Sequence, residues 1–207
     1  MDLKIIEKEI NKIWSSLEVA LNQSVITISS EKTLVFKFAW SLASNRVLNV
    51  TNIDFEKDLF KANFKDGKFL DLYFEIVDKN KVYRVGIEFK FPHKKESNSG
   101  GKQIRMKIIN DLKKIDNLIQ SNSVDLGVFL CATNEDYYLN LDKKVRTENE
   151  FATCHGKTYN TESYYPTTAV YSHIIRPSNN IVFNWRNIHL ISPTYFSFLN
   201  PIFIKTP

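Results

Sequence analysis

Two stretches of this sequence decide its fold: FLDLYFEIV at residues 69–77 and VYRVGIEFKF at residues 82–91. Both are rich in β-branched and aromatic residues, which favour strands. The four residues between them, DKNK at 78–81, have the composition of a turn. Together they predict an antiparallel β-hairpin. Because side chains alternate along a strand, Glu88 and Lys90 are expected on one face and their apolar neighbours on the other.

Three polar side chains of this hairpin have the chemistry of a metal site. Asp71, in the first strand, is expected beside Glu88, and Lys90 follows on the same face. Mg²⁺ prefers oxygen ligands and is usually held by one or two carboxylates together with substrate phosphate. Lys90 is suited to orient or deprotonate an attacking water, or to neutralise charge in a transition state. The alternative is that Glu-x-Lys is an ordinary solvent-facing pattern of an antiparallel strand.

A third carboxylate lies upstream, in a predicted helix. Residues 29–43 begin with two serines, which are good N-cap residues, and continue with an apolar stripe at helical spacing. The stripe consists of Leu34, Val35, Phe38, Ala39 and Leu42. Glu31 is in phase with this stripe, and a carboxylate aimed at a core needs a cation or a metal as its partner. The alternative is that Glu31 only occupies the first turn, where the helix dipole stabilises it by about 0.3–1 kcal/mol.

In kind and in order, these polar residues resemble the active site of the PD-(D/E)XK nuclease superfamily. In that superfamily a first helix supplies a glutamate, a hairpin supplies an Asp and then Glu-x-Lys, and a second helix follows. The corresponding residues here are Glu31, Asp71, Glu88 and Lys90. The resemblance covers roughly residues 29–132, and it departs from the usual pattern at Leu70, where a proline often precedes the Asp.

The resemblance implies an α/β fold of the restriction-endonuclease-like type, with a mixed central sheet flanked by helices, an N-terminal helix and a C-terminal extension. The implied boundaries are a single domain over 1–207, a core over about 29–132, an N-terminal helix over 3–21 and an extension over 133–207. Asp54-Phe55-Glu56 resembles the start of the first strand of the fold. The apolar run at 124–132 is similar to the strand that follows the second helix.

The resemblance also implies an activity, the Mg²⁺-dependent hydrolysis of phosphodiester bonds in DNA, with Mn²⁺ expected to substitute. Asp71 and Glu88 would bind the ion, and the backbone carbonyl of Phe89 would be a further ligand. Glu31 would hold a metal-bound water or a second ion, and Lys90 would position or activate the nucleophile. Duplex DNA is the expected substrate because the superfamily mostly acts on it, while RNA stays open. Cleavage of both strands would call for two active sites and hence a homodimer.

The overall composition limits the class of protein. With 207 residues, 43% of them hydrophobic, the chain is long enough to bury a core. No run approaches the ~18 apolar residues of a membrane span, and the first four residues lack the apolar core of a signal peptide. A cytoplasmic location and no membrane partner are therefore expected. Two cysteines and four scattered histidines indicate neither a disulfide framework nor a zinc site.

Apolar spacing predicts the remaining elements. One amphipathic helix is predicted over 3–21, and another over about 102–120 after a loop at 94–101. The apolar stripe of the second helix is Ile104, Ile108, Leu112, Ile115 and Ile119. In the C-terminal extension, residues 169–175 and 181–191 are predicted to be strands.

The charge distribution around the second helix predicts a polyanionic partner. Residues 94–116 contain seven cations and three acids, which account for four of the chain's five net positive charges. Cations that neutralise phosphates supply sequence-independent affinity by releasing counterions. The residues expected to contact nucleic acid are Lys94, Lys95, Lys102, Gln103, Arg105 and Lys107. The alternative is a solvated helix face, where such runs usually belong.

Two other classes of function stay open at this point. The first is a nucleic-acid-binding or assembly subunit whose nuclease-like fold is inactive, although a complete set of four polar site residues argues against it. The second is an interaction protein with no nucleic-acid role, for which any DNA binding would depend little on salt. Within the nuclease class, the sequence does not separate a type II restriction enzyme from another defence or repair endonuclease.

Overall fold

Helices flank a mixed central sheet in an α/β architecture. The computed structural model describes residues 2–59, 69–93, 101–140, 152–160 and 179–206. The helices are α1 (Leu3–Asn22), α2 (Glu31–Ala43), α3 (Gly101–Gln120) and the short α4 (Asp136–Leu139). The strands are β1 (Val50–Lys57), β2 (Leu70–Asp78), β3 (Lys81–Lys90), β4 (Leu126–Thr133), β5 (Thr158–Tyr159), β6 (Ile181–Val182), β7 (Ser197–Phe198) and β8 (Ile202–Ile204).

The main sheet has the strand order β1-β2-β3-β4-β7, and β8 also pairs with β4. β1, β2 and β3 form an antiparallel meander, whereas β3 and β4 run parallel and are joined through α3. A parallel pair needs such a crossover, usually a helix. All eight residues of β4 are buried, which agrees with the continuous apolar run of its sequence. β5 and β6 form a separate two-stranded sheet.

The predicted hairpin is confirmed as β2 and β3. Their register runs from the pair Asp78 and Lys81 beside the turn to the pair Leu72 and Ile87. Lys79, in the turn, has a left-handed φ of 53°, which is a common conformation in tight hairpin connections. The alternation of side chains therefore follows the prediction, with Ile87 and its apolar neighbours on the face opposite to Glu88.

Each face of the sheet is covered by its own apolar core. α1 and α2 pack on one face, and α3 and the C-terminal segments pack on the other. The fully buried Trp14 of α1 lies at the centre of the first core, where its ring meets Phe38 of α2 and Phe89 of β3 at centroid distances of 6.4 Å. Trp14 Nε1 also donates to the carbonyl of Leu199 at 2.8 Å, so α1 is tied to the C-terminal segment.

The structure corrects two of the predicted strands. β1 begins at Val50, four residues before the predicted Asp54. The strand predicted over 181–191 is limited to β6, because the chain then forms bridges and a 3₁₀ turn at Ile188–Leu190 after the left-handed residue Asn187. The strand predicted over 169–175 lies outside the described residues.

The helices were predicted more closely than the strands. α1, α2 and α3 agree with the predicted helices within two residues at each end, and Ser30 is the N-cap of α2 as expected. Within the described part of the chain, none of the helices combines the length and the apolar character that crossing a bilayer requires.

Gly127→Ala is expected to destabilise the protein by about 1–3 kcal/mol, the usual cost of overpacking a core. A Cβ at this position would collide with Cγ2 of Ile115, which is β-branched and therefore has few other rotamers on a helix. Gly86→Ala is the matched control, because the nearest atom to its Cβ, at 2.9 Å, is the flexible end of Leu70. Chemical denaturation measures both variants, and equal losses in unfolding free energy would contradict the packing at Gly127.

Candidate active site

Four elements meet at the end of β3: the first turn of α2, the start of β2, the last residues of β3 and the middle of α3. They bring together all four polar residues that were predicted as catalytic. Glu31 contacts Lys90 directly, Asp71 and Lys90 both bond to Phe89, and Glu88 is connected to Lys90 through Lys114 and Asp111.

Asp71 lies where β3 leaves β2. The regular register of the two strands ends at the pair Leu72 and Ile87, and Oδ2 of Asp71 then accepts the backbone N–H of Phe89 at 2.7 Å. β3 continues beside β4 to the pair Lys90 and Cys131. The Asp71 carboxylate thus takes over from the strand ladder and lies in the opening between the two strands.

Glu31 is the first residue of α2, and its side chain reaches across to β3. Oε2 of Glu31 accepts the backbone N–H of Phe91 at 3.0 Å, and Oε1 lies 3.4 Å from Nζ of Lys90. Partial burial raises the pKa of Glu31 above its usual value, the nearby Lys90 lowers it less, and the Asp71 carboxylate raises it further. Glu31 therefore occupies the helix N-terminus and also faces the site, so the two predicted positions coincide.

Glu88 is almost completely buried, with 1% of its surface exposed. Its Oε1 contacts the ammonium group of Lys114 from α3, which also donates to the carbonyl of Phe69 at 2.9 Å. Burial raises the pKa of Glu88 well above the ordinary value, and the carboxylates of Asp111 and Asp71 raise it further. Glu88 is therefore a carboxylate that gains from any additional positive charge nearby.

Lys90 is held in a ring of oxygen atoms. Its Nζ lies 2.9 Å from Oδ2 of Asp111 and donates to its neighbour's carbonyl, that of Phe89, at 2.8 Å. Burial alone would lower the pKa of Lys90, but Asp111 and Glu31 outweigh it and raise the pKa above its usual value. Lys90 therefore stays protonated at neutral pH, and a protonated ammonium group is suited to neutralise charge but not to abstract a proton.

Asp111 and Lys114 were not predicted as site residues. Both belong to α3, and they lie against Lys90 and Glu88 respectively. A signal was present, because Asp111 is three residues after the apolar Ile108 and four before Ile115, so it is in phase with the buried stripe. A charge in that phase needs a partner, as Glu31 does.

The residues predicted to contact nucleic acid separate into three groups. Gln103 and Lys107 are exposed on α3. Lys94, Lys95 and the side chain of Lys102 lie outside the described residues. Arg105 corrects the prediction, because it is only 6% exposed and its guanidinium lies over the ring of Tyr137 at 4.3 Å. Arg105 therefore packs α3 against α4 and does not belong to the exposed cationic face.

An open cavity of about 330 Å³ leads to two of the acids. Its lining residues are Glu31, Lys32, Val35, Phe36, Phe55, Glu56 and Asp71. The cavity is lined by α2, β1 and β2, so a ligand bound in it would contact Glu31 and Asp71.

The chemistry of these donors fits a hard cation such as Mg²⁺, since all of them are oxygen atoms. Oε1 of Glu88 and Oδ2 of Asp111 are buried, and each is in contact with the ammonium group of a lysine. Within the described ranges, however, no three Asp, Glu, His or Cys side chains already converge as a ligand group. The lysines lie between the acids, so an ion would have to compete with them.

We expect the unfolding free energy of the Glu31→Gln variant, relative to that of wild type, to increase as pH rises from about 4 to 7. A raised pKa means that Glu31 keeps its proton to higher pH in the folded protein than in the unfolded protein, so the contribution of Glu31 to wild-type stability falls over this range. The glutamine side chain of the variant does not titrate and can still accept the N–H of Phe91. Thermal melts across pH measure the difference, with Glu7→Gln on α1 as the control for loss of a carboxylate. If the variant instead becomes less stable relative to wild type as pH rises, the role of Glu31 is limited to stabilising the helix dipole.

Comparisons with models of protein families, with curated proteins and with solved structures each found no match. Support for a function therefore comes from the order of the elements and from the side chains that meet at the end of β3.

Proposed function

We propose that this protein is a metal-dependent endonuclease that hydrolyses phosphodiester bonds in DNA, with a PD-(D/E)XK-type site on a restriction-endonuclease-like fold. The observation that carries the proposal is the convergence of four residues from three separate elements at one end of β3. They are Glu31 from α2, Asp71 from β2, and Glu88 and Lys90 from β3. The element order α2-β1-β2-β3-α3-β4, with β4 parallel to β3, gives further support.

In this proposal Asp71, Glu88 and the carbonyl of Phe89 would hold Mg²⁺, or Mn²⁺ in its place. The ion would supply a bound water of lowered pKa and would neutralise charge on the phosphate. The burial that raises the pKa of Glu88 also makes a nearby dication favourable. Without such an ion, the ammonium group of Lys114 supplies positive charge to Glu88.

Lys90 acts in the proposal as a fixed cation. Its raised pKa keeps the ammonium protonated, so it would stabilise charge that develops on the phosphate and would not serve as the base. Asp111 at 2.9 Å and Glu31 at 3.4 Å fix its direction. Glu31 would in addition hold a metal-bound water or a second ion, because its carboxylate faces both Lys90 and the open cavity.

The partners follow from the same chemistry. Duplex DNA is the proposed substrate, and RNA offers the same phosphodiester group. Gln103 and Lys107 remain available on the exposed face of α3 for phosphate contacts. We further propose that the protein acts as a homodimer in the cytoplasm. Its biological role would be restriction or another defence or repair process.

One observation favours a second candidate, a nucleic-acid-binding or assembly subunit without catalysis. Both buried acids of the site, Glu88 and Asp111, are already matched by lysines. If these pairs are permanent, the site is a structural network and the protein would bind nucleic acid without cleaving it. The two candidates therefore differ in metal-dependent cleavage and not in binding.

Asp71→Asn and Glu88→Gln are each expected to abolish cleavage while DNA binding stays equal or becomes tighter, because each change removes negative charge that repels phosphate. Incubation with mixed plasmid and genomic DNA in Mg²⁺, Mn²⁺ or EDTA, followed by mapping of the ends, measures the activity. Glu75→Gln is the control, because Glu75 is also on β2 but accepts a hydrogen bond from the Tyr73 hydroxyl; this variant should cleave normally. Cleavage that persists in either site variant, or wild-type protein that binds DNA but never cleaves it, would exclude the proposal.

Lys90→Ala is expected to lower turnover by about 10²–10⁴ with little change in DNA affinity, since a cation that acts on the transition state affects rate more than binding. Lys90→Arg keeps the positive charge and should retain more activity than the alanine variant. Thermal melts accompany the rates because Lys90 also neutralises Asp111. A folded Lys90→Ala protein with normal turnover would make Lys90 a structural residue only.

A further inference from the structure

α2 exposes two aromatic side chains that its own packing does not use. Phe36 and Trp40 are 58% and 69% exposed, while the opposite face of the helix is buried in the core. They are four residues apart, so they lie on one face of α2, with ring centroids 6.2 Å apart and planes tilted by 33°. Large aromatic side chains left in water at adjacent helical positions indicate a surface that binds something.

This surface continues into the candidate active site. Phe36 lines the cavity that contains Glu31 and Asp71, and it also lines a second cavity of about 440 Å³. The second cavity is lined by Leu17, Ile26, Phe36, Lys37, Trp40 and Ser41. A single chain-like ligand can therefore extend along α2 from Trp40, past Phe36, to the two carboxylates.

Cations flank the aromatic pair. Lys32 lies one turn before Phe36 on the same face, and Lys37 lines the second cavity. Lys32 is 2.9 Å from Glu56, but both side chains are well exposed, so this ion pair is weak and open to exchange with a phosphate. Lysine is depleted at the centres of protein–protein interfaces, whereas aromatic rings between cations are typical of surfaces that bind single-stranded nucleic acid.

We propose that α2 is a platform for a single-stranded stretch of nucleic acid, whose bases stack on Phe36 and Trp40 while Lys32 and Lys37 contact its phosphates. The inference rests on the proposed nuclease function and changes its preferred substrate from intact duplex DNA to nucleic acid with unpaired bases. In a duplex the flat faces of the bases are covered by their neighbours, so only unpaired bases can use these rings. A strand held in this way enters the cavity at Glu31 and Asp71, which makes single strands, overhangs or opened duplexes the preferred substrates.

The chain supplies its own probe for this contact. Of its three tryptophans, Trp14 and Trp185 are 0% and 3% exposed, so a ligand that stacks on the protein surface changes the emission of Trp40 alone. Titration with a thymidine oligonucleotide in EDTA is expected to quench this emission saturably, and the same titration with an RNA oligonucleotide separates the two sugar types. EDTA prevents metal-dependent cleavage, so binding is measured independently of activity.

Variants then separate stacking from charge, with labelled oligonucleotides used to measure affinity. Trp40→Ala and Phe36→Ala are each expected to weaken single-strand binding by about 5- to 100-fold, whereas Trp40→Phe should retain affinity and lose the emission change. Lys37→Gln should reduce the salt dependence of binding by about 0.7 in log–log slope. Val82→Ala, an exposed apolar position at the other end of β3, is the control and should bind like wild type.

The outcomes also separate this inference from the proposed function. Saturable binding that depends on Trp40, with a duplex of equal length bound at least about tenfold more weakly, supports the platform even if no cleavage is ever found. Unchanged affinity in both alanine variants overturns it, as does a preference for duplex, whether or not the protein cleaves DNA. A surface that binds no oligonucleotide of either sugar type overturns it as well and leaves the aromatic pair to a protein partner.

Discussion

The hydrogen bond from the backbone N–H of Phe89 to the carboxylate of Asp71 is the contact on which the site depends. A strand ladder normally offers a backbone carbonyl to such an amide, and here a side chain takes its place. β3 is therefore free to part from β2 while it continues beside the fully buried β4. The opening between the strands lets α2 and α3 bring Glu31 and Asp111 to the same point. One side chain thus ends a regular element and exposes a polar site without leaving the amide of Phe89 unbonded.

Carboxylates outnumber ammonium groups around this opening. Glu31, Asp71, Glu88 and Asp111 contribute four carboxylates, and Lys90 and Lys114 contribute two ammonium groups. With every one of these groups ionised, the difference is two negative charges, the amount that one divalent ion would neutralise. Burial, with nearby carboxylates added to it, raises the pKa of both Glu31 and Glu88. The buried acids Glu88 and Asp111 are each matched by a buried lysine, so the excess negative charge lies on Glu31 and Asp71, which are only half-buried and face the open cavity.

Features of the fold and the site that depend on neighbouring residues could be predicted from the sequence, whereas those that depend on tertiary contacts could not. The hairpin, the three long helices and the inward phase of Glu31 depend on spacing within a few residues, and all were predicted from the sequence. The role of α3 was not, since the partners of Asp111 and Lys114 are on β3 and depend on how the helix crosses the sheet. Arg105 was wrongly predicted to lie on the exposed face, because its partner Tyr137 is 32 residues away on α4 and leaves no signal in the local sequence. The strand expected over 181–191 ends at Val182, because Phe183 and Trp185 are buried by tertiary contacts outside any regular ladder, and Leu190 is exposed.

α2 shows how one helix can serve stability and function with different faces. Its inner face fills the first core through Leu34, Phe38 and Leu42, and these side chains hold it on the sheet. Its first turn directs Glu31 to β3, where the carboxylate is less stable in its charged form than it would be in water. Its outer face leaves Phe36 and Trp40 in solvent, although burial would have stabilised the fold. Folding by itself favours neither of these two local departures from the most stable choice, and both are what the proposed chemistry and the proposed binding platform would require of α2.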